Sequence, residues 1–397
     1  MKEGDIITPL TEQAIGLLGS TAIIPESGKY IQSQDVAKIV CKEHLLDKDF
    51  AFYLISSNLV KQQLSAAAQQ TKIRHTSPDK IKDCIVWIPE LEEQKRIGKL
   101  LRTIDLKIEL NRQLNHNLEA MAKQLYDYWF VQFDFPDENG KPYKSSGGKM
   151  VWDKRLKREI PLLWKAKMVE EVADVYNGAT PSTVNELNYG GDIVWITPKD
   201  LSDQKQKFVY QGERNISQVG YDSCSTHLLP SNTILMSSRA PIGLLAIAKT
   251  ELCTNQGFKS FVSKSKNIAT YLYYYLQYHI TQIEQLGTGT TFKEVSREDI
   301  LKFPMLKPSD NVLDLWEEIV SALNDRQLEI QKENENLIKQ RNELLPLLMN
   351  GQVSVNYDLA ETGFILFCIS IATKVCFQLI KSIIVNSVLI IAFYINP

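Results

Sequence analysis

The sequence lacks every short motif that would assign a catalytic centre to it. It contains no GxxxxGK[ST] phosphate loop, no GxGxxG, no HExxH and no GxSxG. Its histidines do not pair at metal-ligand spacing, and its six cysteines include no CxxC pair. Because an enzyme needs a convergent set of reactive groups, an enzymatic role for this chain alone has the least support.

Net charge is also nearly absent, since 45 Lys and Arg stand against 47 Asp and Glu. A global basic excess that would indicate a nucleic-acid partner is therefore missing, although a local patch can still bind phosphate. Scattered cysteines without a signal-peptide pattern predict reduced thiols in the cytoplasm. The composition, with 44% hydrophobic and 23% charged residues, is typical of a globular chain of two or three domains.

Long apolar runs are missing until the C-terminus, where residues 363–397 form an atypical apolar tail. Lys374 and Lys381 interrupt this tail, and its longest uncharged run, residues 382–397, is shorter than the roughly 18–20 residues that span a bilayer. We expect an extension foreign to the fold, such as read-through past a natural end near Val355, and no membrane contact. A membrane anchor is the alternative.

What the sequence does contain is a near repeat of itself. Residues 3–89 align with residues 232–308, and Ile-Gly-Leu-Leu occurs in both. The segment SPDKIKDCIVWIP at residues 77–89 matches SREDILKFPMLKP at residues 296–308. A period of about 220 residues is long enough for a whole domain and its following helix. We therefore predict two related domains.

The predicted fold class is α+β, with two tandem α/β domains separated by long antiparallel coiled-coil helices. Six segments follow along the chain: a first domain (1–90), a coiled-coil helix (91–130), a connector (131–160), a second domain (161–308), a second coiled-coil helix (309–352) and the tail (353–397). Strands are predicted at residues 6–8, 15–24, 37–41, 84–88, 192–196, 233–236 and 244–248, and shorter helices at 50–67 and 268–283.

The two long helices carry apolar residues at heptad spacing, as Ile97, Ile104 and Leu118 illustrate. Asparagines also fall on the seams, which leaves two alternatives: they pair between the helices, or the seam opens to water there. The asparagines are Asn111, Asn115 and Asn334. At 1.5 Å per residue, about 35 residues make a rod of roughly 50 Å.

Three segments carry a resemblance to a known family. They are residues 88–136, residues 140–153 (GKPYKSSGGKMVWD) and residues 229–258. The three segments occur in this order in a chain that contains the repeat described above. Over residues 3–355 the sequence resembles the specificity subunit of Type I restriction–modification systems. The resemblance implies two target-recognition domains, each reading half of a split site in double-stranded DNA, and conserved helices that dock methyltransferase (modification) subunits.

The resemblance further implies that the chain has no catalytic centre and binds no cofactor itself. It would confer specificity on methyltransferase subunits that use S-adenosylmethionine and on restriction subunits that use ATP and Mg. A rod of roughly 50 Å exceeds one DNA turn of about 34–36 Å, so a spacer that is not read should separate the half-sites. The alternative function is a coiled-coil protein-interaction scaffold that does not bind DNA.

The duplication is incomplete, because residues 161–228 have no counterpart before the first repeat. The family pattern places such a segment at the start of the first recognition domain. We therefore expect a first domain truncated by about 70 residues, with unpaired strand edges. Such a domain should be unstable alone or completed by another chain.

Candidate DNA contacts lie in loops of the second domain that carry small polar and basic residues. Ser237, Ser238 and Arg239 follow a predicted strand, and arginine is the commonest reader of guanine, although a surface salt bridge is the alternative for Arg239. Asn255 and Gln256 either read adenine or cap a turn.

The segment GTGTTFK at residues 287–293 offers glycines that let backbone amides approach a phosphate. Thr290 and Lys293 would assist, and a flexible loop is the alternative. Lys199, after the sequence WITP, is a weaker candidate. Five clustered tyrosines predict helix packing rather than base stacking: Tyr271, Tyr273, Tyr274, Tyr275 and Tyr278. The segment PDENGK at residues 136–141 predicts a turn rather than a nuclease motif.

Overall fold

The computed structural model describes residues 1–13, 16–68, 74–239, 241–289 and 293–355. The chain divides into two compact units, Met1–Gln113 with Lys332–Pro397, and Leu114–Gln331. Both boundaries fall inside the long helices, so each unit contains a part of both. The predicted apolar tail at residues 363–397 lies outside the described residues. None of the helices in the described ranges is long and apolar enough to cross a membrane.

The first unit begins with a small antiparallel sheet in the order β3-β1-β4 and a separate strand pair, β2 with β5. Its elements before the long helix are β1 (Ile6–Pro9), β2 (Thr11–Glu12), β3 (Ala22–Ile23), β4 (Val36–Ile39), α1 (Lys48–Ser56), α2 (Asn58–Ala67), β5 (Arg74–His75) and α3 (Pro78–Lys82). The predicted helix over residues 50–67 is thus two helices. Ser57 separates them because its backbone is extended and its side chain caps the second helix.

The predicted strand at residues 15–24 is wrong apart from β3. The preceding loop instead wraps around the carboxylate of Glu12, which accepts hydrogen bonds from the amides of Gly16, Leu17 and Leu18 at 2.8–3.0 Å. Burial raises the pKa of Glu12, but these amides and the charge of Arg74 outweigh it and lower the pKa overall. The carboxylate therefore fixes a turn where alternation had predicted a strand.

The second unit contains a five-stranded sheet in the order β11-β14-β13-β16-β9, a three-stranded sheet β12-β10-β15, and the pairs β17-β8 and β6-β7. The elements from the long helix onward are α4 (Leu91–Tyr126), β6 (Met150–Asp153), β7 (Arg158–Pro161), β8 (Lys165–Met168), α5 (Val169–Val172), β9 (Ala173–Asn177), β10 (Tyr189–Ile196), α6 (Pro198–Gln204), β11 (Phe208–Val209), β12 (Arg214–Ile216), α7 (Gln218–Asp222), β13 (Ile234–Ser237), β14 (Leu245–Ala248), β15 (Cys253–Thr254), β16 (Phe258–Ser263), α8 (Ala269–Tyr278), α9 (Ile280–Gln285), α10 (Arg297–Leu301), β17 (Pro304–Lys307) and α11 (Asp310–Met349). A π-helical turn, Asp127–Val131, follows α4.

The predicted connector is more ordered than its turn-rich composition indicated, because it contains β6 and most of β7. The turn predicted at PDENGK is confirmed, since the Asp137 carboxylate accepts hydrogen bonds from the amides of Asn139 and Lys141 at 2.8 Å each. The predicted helix over residues 268–283 is broken at His279, between α8 and α9.

The core of the second unit is aromatic. Trp316 of α11 is fully buried, and its ring lies 4.9 Å from Phe130, 5.9 Å from Tyr126 and 5.7 Å from Tyr274 between centroids. Four of the five clustered tyrosines are buried, and Tyr278 is half exposed. Packing of these tyrosines on the helices is therefore confirmed.

The predicted duplication is visible in the strand pairing. In the first unit β1 is the central strand, with β3 and β4 antiparallel on either side. In the second unit β13 lies antiparallel between β14 and β16. Ile6 faces Ile23 and Ile234 faces Ile247 in the same register. Gly4 and Asn232 each lie two residues before the central strand of their unit begins. Both have a positive φ, of 76° and 67° respectively.

The helices pair antiparallel within each unit. In the first unit the Arg341 guanidinium contacts the Asp105 carboxylate at 2.7 Å, and Asn111 Nδ2 donates to Asn334 Oδ1 at 3.0 Å. In the second unit Asn115 Nδ2 donates to the Gln327 carbonyl at 3.3 Å. The seam asparagines therefore pair between helices, and the antiparallel coiled coil is confirmed.

Candidate nucleic-acid interface

The predicted contact residues of the second unit gather around the turn that links β15 to β16. Asn255 Oδ1 accepts a hydrogen bond from the Gly257 amide at 2.9 Å, so the asparagine caps this turn. A Cβ on Gly257 would lie 2.8 Å from Cγ of Pro198, and glycine is therefore required where the turn meets the start of α6. Gln256, between them, is exposed.

Ser237 and Ser238, which follow β13, are fully buried. The Ser237 hydroxyl donates to the Pro241 carbonyl at 2.6 Å and accepts from the Leu244 amide at 2.8 Å. The Ser238 amide donates to the Gly257 carbonyl at 2.8 Å. In this conformation both serines organise the end of the sheet, and their hydroxyls are not presented to the surface.

Arg239 forms an isolated β-bridge with Glu294, which places the loop after β13 against the residues before α10. Lys259, almost fully buried, contacts the Glu294 carboxylate at 3.2 Å and the Ser238 hydroxyl at 3.4 Å. Among the described residues no carboxylate lies within salt-bridge distance of the Arg239 guanidinium. Arg239 is thus a partly exposed cation held by its backbone.

Lys199 lies in the first turn of α6, which begins with a capping box in which Asp200 accepts from the Thr197 amide at 2.7 Å. Its ammonium contacts the Glu213 carboxylate at 2.9 Å, and both side chains are largely exposed. The hydrogen bond and charge of Glu213 raise the pKa of Lys199. This pair neutralises the lysine, which makes it a weaker phosphate ligand than an unpaired one.

Lys293 is exposed beside Glu294, on the same side of the unit as Arg239, and Thr290 lies outside the described residues. The structure therefore brings Arg239, Gln256 and Lys293 to one surface, with Lys199 at its edge. Whether these residues touch DNA stays a prediction.

Sequence reasoning missed the loop after β9, which belongs to the same surface. The Thr180 hydroxyl donates to the Gln256 side chain, and the Ala179 amide donates to the Thr254 carbonyl at 3.0 Å. A Cβ on Gly178 would lie 2.2 Å from the Thr254 carbonyl oxygen, so only glycine fits at position 178. Its polar composition, GATPSTVNE at residues 178–186, was the available signal.

The described part of this surface presents polar and cationic side chains. Glu213 neutralises Lys199 and Glu294 neutralises the buried Lys259. Arg239 and Lys293 form no salt bridge with a described residue. Within the described ranges, no group of three His, Cys, Asp or Glu side chains is arranged to hold a metal.

Comparison with known proteins places the chain in a family. The profile described as "Type I restriction modification DNA specificity domain" matches residues 2–120 and 161–340. The chain is 35% identical over 197 residues to the MjaIX specificity subunit of a Type I restriction enzyme from Methanocaldococcus jannaschii, covering 48% of this chain and 46% of that protein, which is under half of its length.

A second relative is the HindI specificity subunit of a Type I restriction enzyme from Haemophilus influenzae, with 24% identity over 375 residues, 82% of this chain and 81% of that protein. The fold resembles the crystal structure of the Type I restriction–modification S subunit from M. genitalium, with a TM-score of 0.59 at 15% identity, covering 88% of this chain and 83% of that one. The duplicated sheet, the antiparallel helices and the profile over most of the sequence agree: the chain belongs to the Type I restriction–modification DNA specificity family.

Proposed function

We propose that this chain is the sequence-reading subunit of a Type I restriction–modification complex and binds a DNA site made of two separated half-sites. The observation that carries the proposal is the duplicated sheet core, because two related readers in one chain fit a target with two parts. Family membership supports the same function.

In this proposal the second domain reads bases with Arg239 and Gln256, while Lys293 and Lys199 contact phosphates. Arginine pairs with guanine and glutamine with adenine through two hydrogen bonds in the major groove. Their surface is held by buried hydrogen bonds of Ser237 and Ser238, so its shape is set before DNA arrives.

The chemistry would belong to partner subunits. S-adenosylmethionine would serve the methyltransferase subunits, and ATP and Mg the restriction subunits, while this chain binds none of them. The helices α4 and α11 would supply the docking surface, since α4 alone has 36 residues and a length of about 54 Å.

The test is selection of binding sites from a random duplex pool by the full chain together with its methyltransferase subunits and S-adenosylmethionine. We expect a recovered site with two conserved blocks and an unread spacer, bound in a salt-sensitive manner. Arg239→Ala should relax the preference at one position of one block and cost about 1–3 kcal/mol there.

Recovery of no common sequence, together with intact association with the methyltransferase subunits, would favour the protein scaffold. A single block would contradict a two-part site. Arg239→Ala selecting the same site with the same affinity would remove the assignment of that residue.

A further inference from the structure

A second cationic surface lies on the hairpin of β6 and β7, which is not part of the proposed base-reading loops. Residues 140–159 contain seven Lys and Arg and two Asp and Glu, a net charge of +5 in a chain whose total is −2. The five lysines of this stretch are all exposed, and they form no salt bridge with any described residue: Lys141, Lys144, Lys149, Lys154 and Lys157.

The tip of the hairpin is fixed. Asp153 Oδ1 accepts hydrogen bonds from the amides of Arg155 and Leu156 at 2.9 and 2.8 Å. Lys157 closes the turn in the left-handed region, with φ of 50°. The one acid of the tip is thus used by the backbone, and the cations of Lys154 and Lys157 project from a turn of defined shape.

Beside the turn of the hairpin is a cavity of about 230 Å³ lined by Arg155, Arg158, Tyr278, His279 and Gln282, among others. No Asp or Glu is among the described residues that line it. The Arg158 guanidinium lies 4.6 Å over the ring of Phe133 and donates only a long hydrogen bond, 3.5 Å, to the Val131 carbonyl. Its charge is therefore partly buried and has no carboxylate partner among the residues that the structure describes.

The cavity has the chemistry of an anion receptor. Two guanidiniums supply charge and fork geometry, which suits a phosphate oxygen pair. Burial and the charge of Arg158 lower the pKa of His279, although its hydrogen bond to the Tyr275 carbonyl opposes this. The volume is below the roughly 300–1,000 Å³ of drug-sized ligand sites, which favours one phosphodiester group over a nucleotide or a cofactor.

We propose that Arg155 and Arg158 hold a backbone phosphate of duplex DNA, and that Lys154 and Lys157 contact neighbouring phosphates. This inference rests on the proposed function and adds to it a contact that positions the duplex without reading its sequence. DNA is the occupant that fits both features, because a lone acidic side chain would fill the cavity but leave the row of lysines without partners.

The test measures the salt dependence of DNA affinity for the full chain with its methyltransferase subunits. Each lost phosphate contact should reduce the slope of log Kobs against log salt by about 0.9. Lys154→Gln/Lys157→Gln should therefore reduce it by about 2, and Arg155→Gln/Arg158→Gln by about 1. Both should weaken all duplexes equally and leave the preferred sequence unchanged.

The matched control is Lys29→Gln/Lys82→Gln, which changes the net charge equally at exposed lysines of the other unit and should leave the slope unaltered. A second measurement tests the cavity without DNA, in case a double variant folds poorly. Inorganic phosphate should raise Tm of the full chain by about 2–4 °C more than chloride of equal ionic strength does. In Arg158→Gln, phosphate and chloride should give the same Tm.

The outcomes separate the two proposals. If the unmodified chain binds no duplex in the complex, the proposed function fails. If it binds with an unchanged slope in both hairpin variants, the phosphate contact is overturned while the proposed function stands. A phosphate-dependent Tm with unchanged slopes would assign the cavity to an acidic group of a protein partner and also overturn the DNA contact.

Discussion

The two repeats share one sheet core but differ in what surrounds it. In the second unit, β11 lies beside β14, β9 lies beside β16, and β17 pairs with β8. In the first unit, β3 and β4 have no outer neighbours among the described strands, and residues 84–88, which correspond to β17, form no strand. The predicted strand at residues 84–88 is therefore wrong.

The reason for that error is the absence of a pairing partner. Leu306 of β17 is buried, whereas Trp87, which aligns with it, is 41% exposed. The amide of Ile85 donates to the Gln63 side chain at 2.8 Å, and Gln63 Nε2 donates back to its carbonyl at the same distance. The Gln63 side chain thus bonds this backbone segment, where the second unit has the strand β8 paired with β17. Apolar periodicity alone does not make a strand, because the backbone needs a ladder.

The largest effect should appear in hydrogen exchange of these two segments. Amides of β17 exchange only when the β8–β17 pair opens, whereas those of Trp87 and Ile88 should exchange near the rate of an open chain. We expect a difference of at least a thousandfold, equivalent to an opening free energy of about 4 kcal/mol or more. Mass spectrometry of deuterated peptides covering both segments measures it.

Strands shared by both units provide the control, since β1 and β13 are central and should both be protected. Equal protection of residues 84–88 and β17 would show that a strand from elsewhere pairs with the first domain in solution. The contrast between the two units would then be a property of this conformation alone.

Much of the architecture followed from the sequence. The duplication, the antiparallel helices and the packing of the tyrosines were all predicted, because heptads and repeats depend on local periodicity. The break between two helices at Ser57 and the loop around Glu12 were not predicted. Each depends on a single side chain that hydrogen-bonds the backbone, and the apolar pattern continues through that point without a change.

The candidate site was predicted less well, for a related reason. Loop composition predicted that Arg239 and Gln256 lie at the surface, where the structure has them, but it could not show that Ser237 and Ser238 are turned inward. Nor could it connect Arg158 with His279, which lie more than a hundred residues apart and line one cavity. Such contacts are set by tertiary packing, which no short pattern records.

A second contrast concerns the hydrophobic cores of the two units, to which the long helices α4 and α11 contribute Ile97 and Trp316, each the seventh residue of its helix. Trp316→Ala should lower the free energy of unfolding of the second unit by about 3–5 kcal/mol, because it empties an aromatic cluster. Ile97→Ala, in the mixed aliphatic and aromatic core of the first unit, should cost about 2–4 kcal/mol. Denaturant unfolding followed by exchange at α8 and α1 reports on each unit.

Trp152→Ala is the matched control, because that tryptophan is 64% exposed and its loss should change stability by less than about 0.5 kcal/mol. Destabilisation of both units to the same extent by Trp316→Ala would mean that they unfold together. In that case the comparison of separate cores would lose its meaning.

The smallest expected effect belongs to Lys207, a buried cation of the second unit that lies in the segment without a counterpart in the first. Its ammonium donates to Glu119 Oε2 at 2.8 Å, to the Tyr274 hydroxyl at 2.6 Å and to Asn324 Oδ1 at 2.7 Å. Burial lowers the pKa of Lys207 to about 8, although the charge and hydrogen bond of Glu119 oppose this. The unfolded chain, with a lysine pKa of about 10.4, then holds this proton more tightly than the folded chain does.

Stability of the second unit should therefore rise as pH increases from about 8 to about 10, by at most about 3 kcal/mol. Above pH 10 the gain should reverse, because burial raises the pKa of Tyr273 and Tyr274, whose ionisation favours the unfolded chain. Lys207→Met should abolish the rise, whereas Lys302→Met, at an exposed lysine, should retain it. Chemical denaturation at several pH values measures both; a rise that persists in Lys207→Met would assign it to another group and remove this difference between the two units.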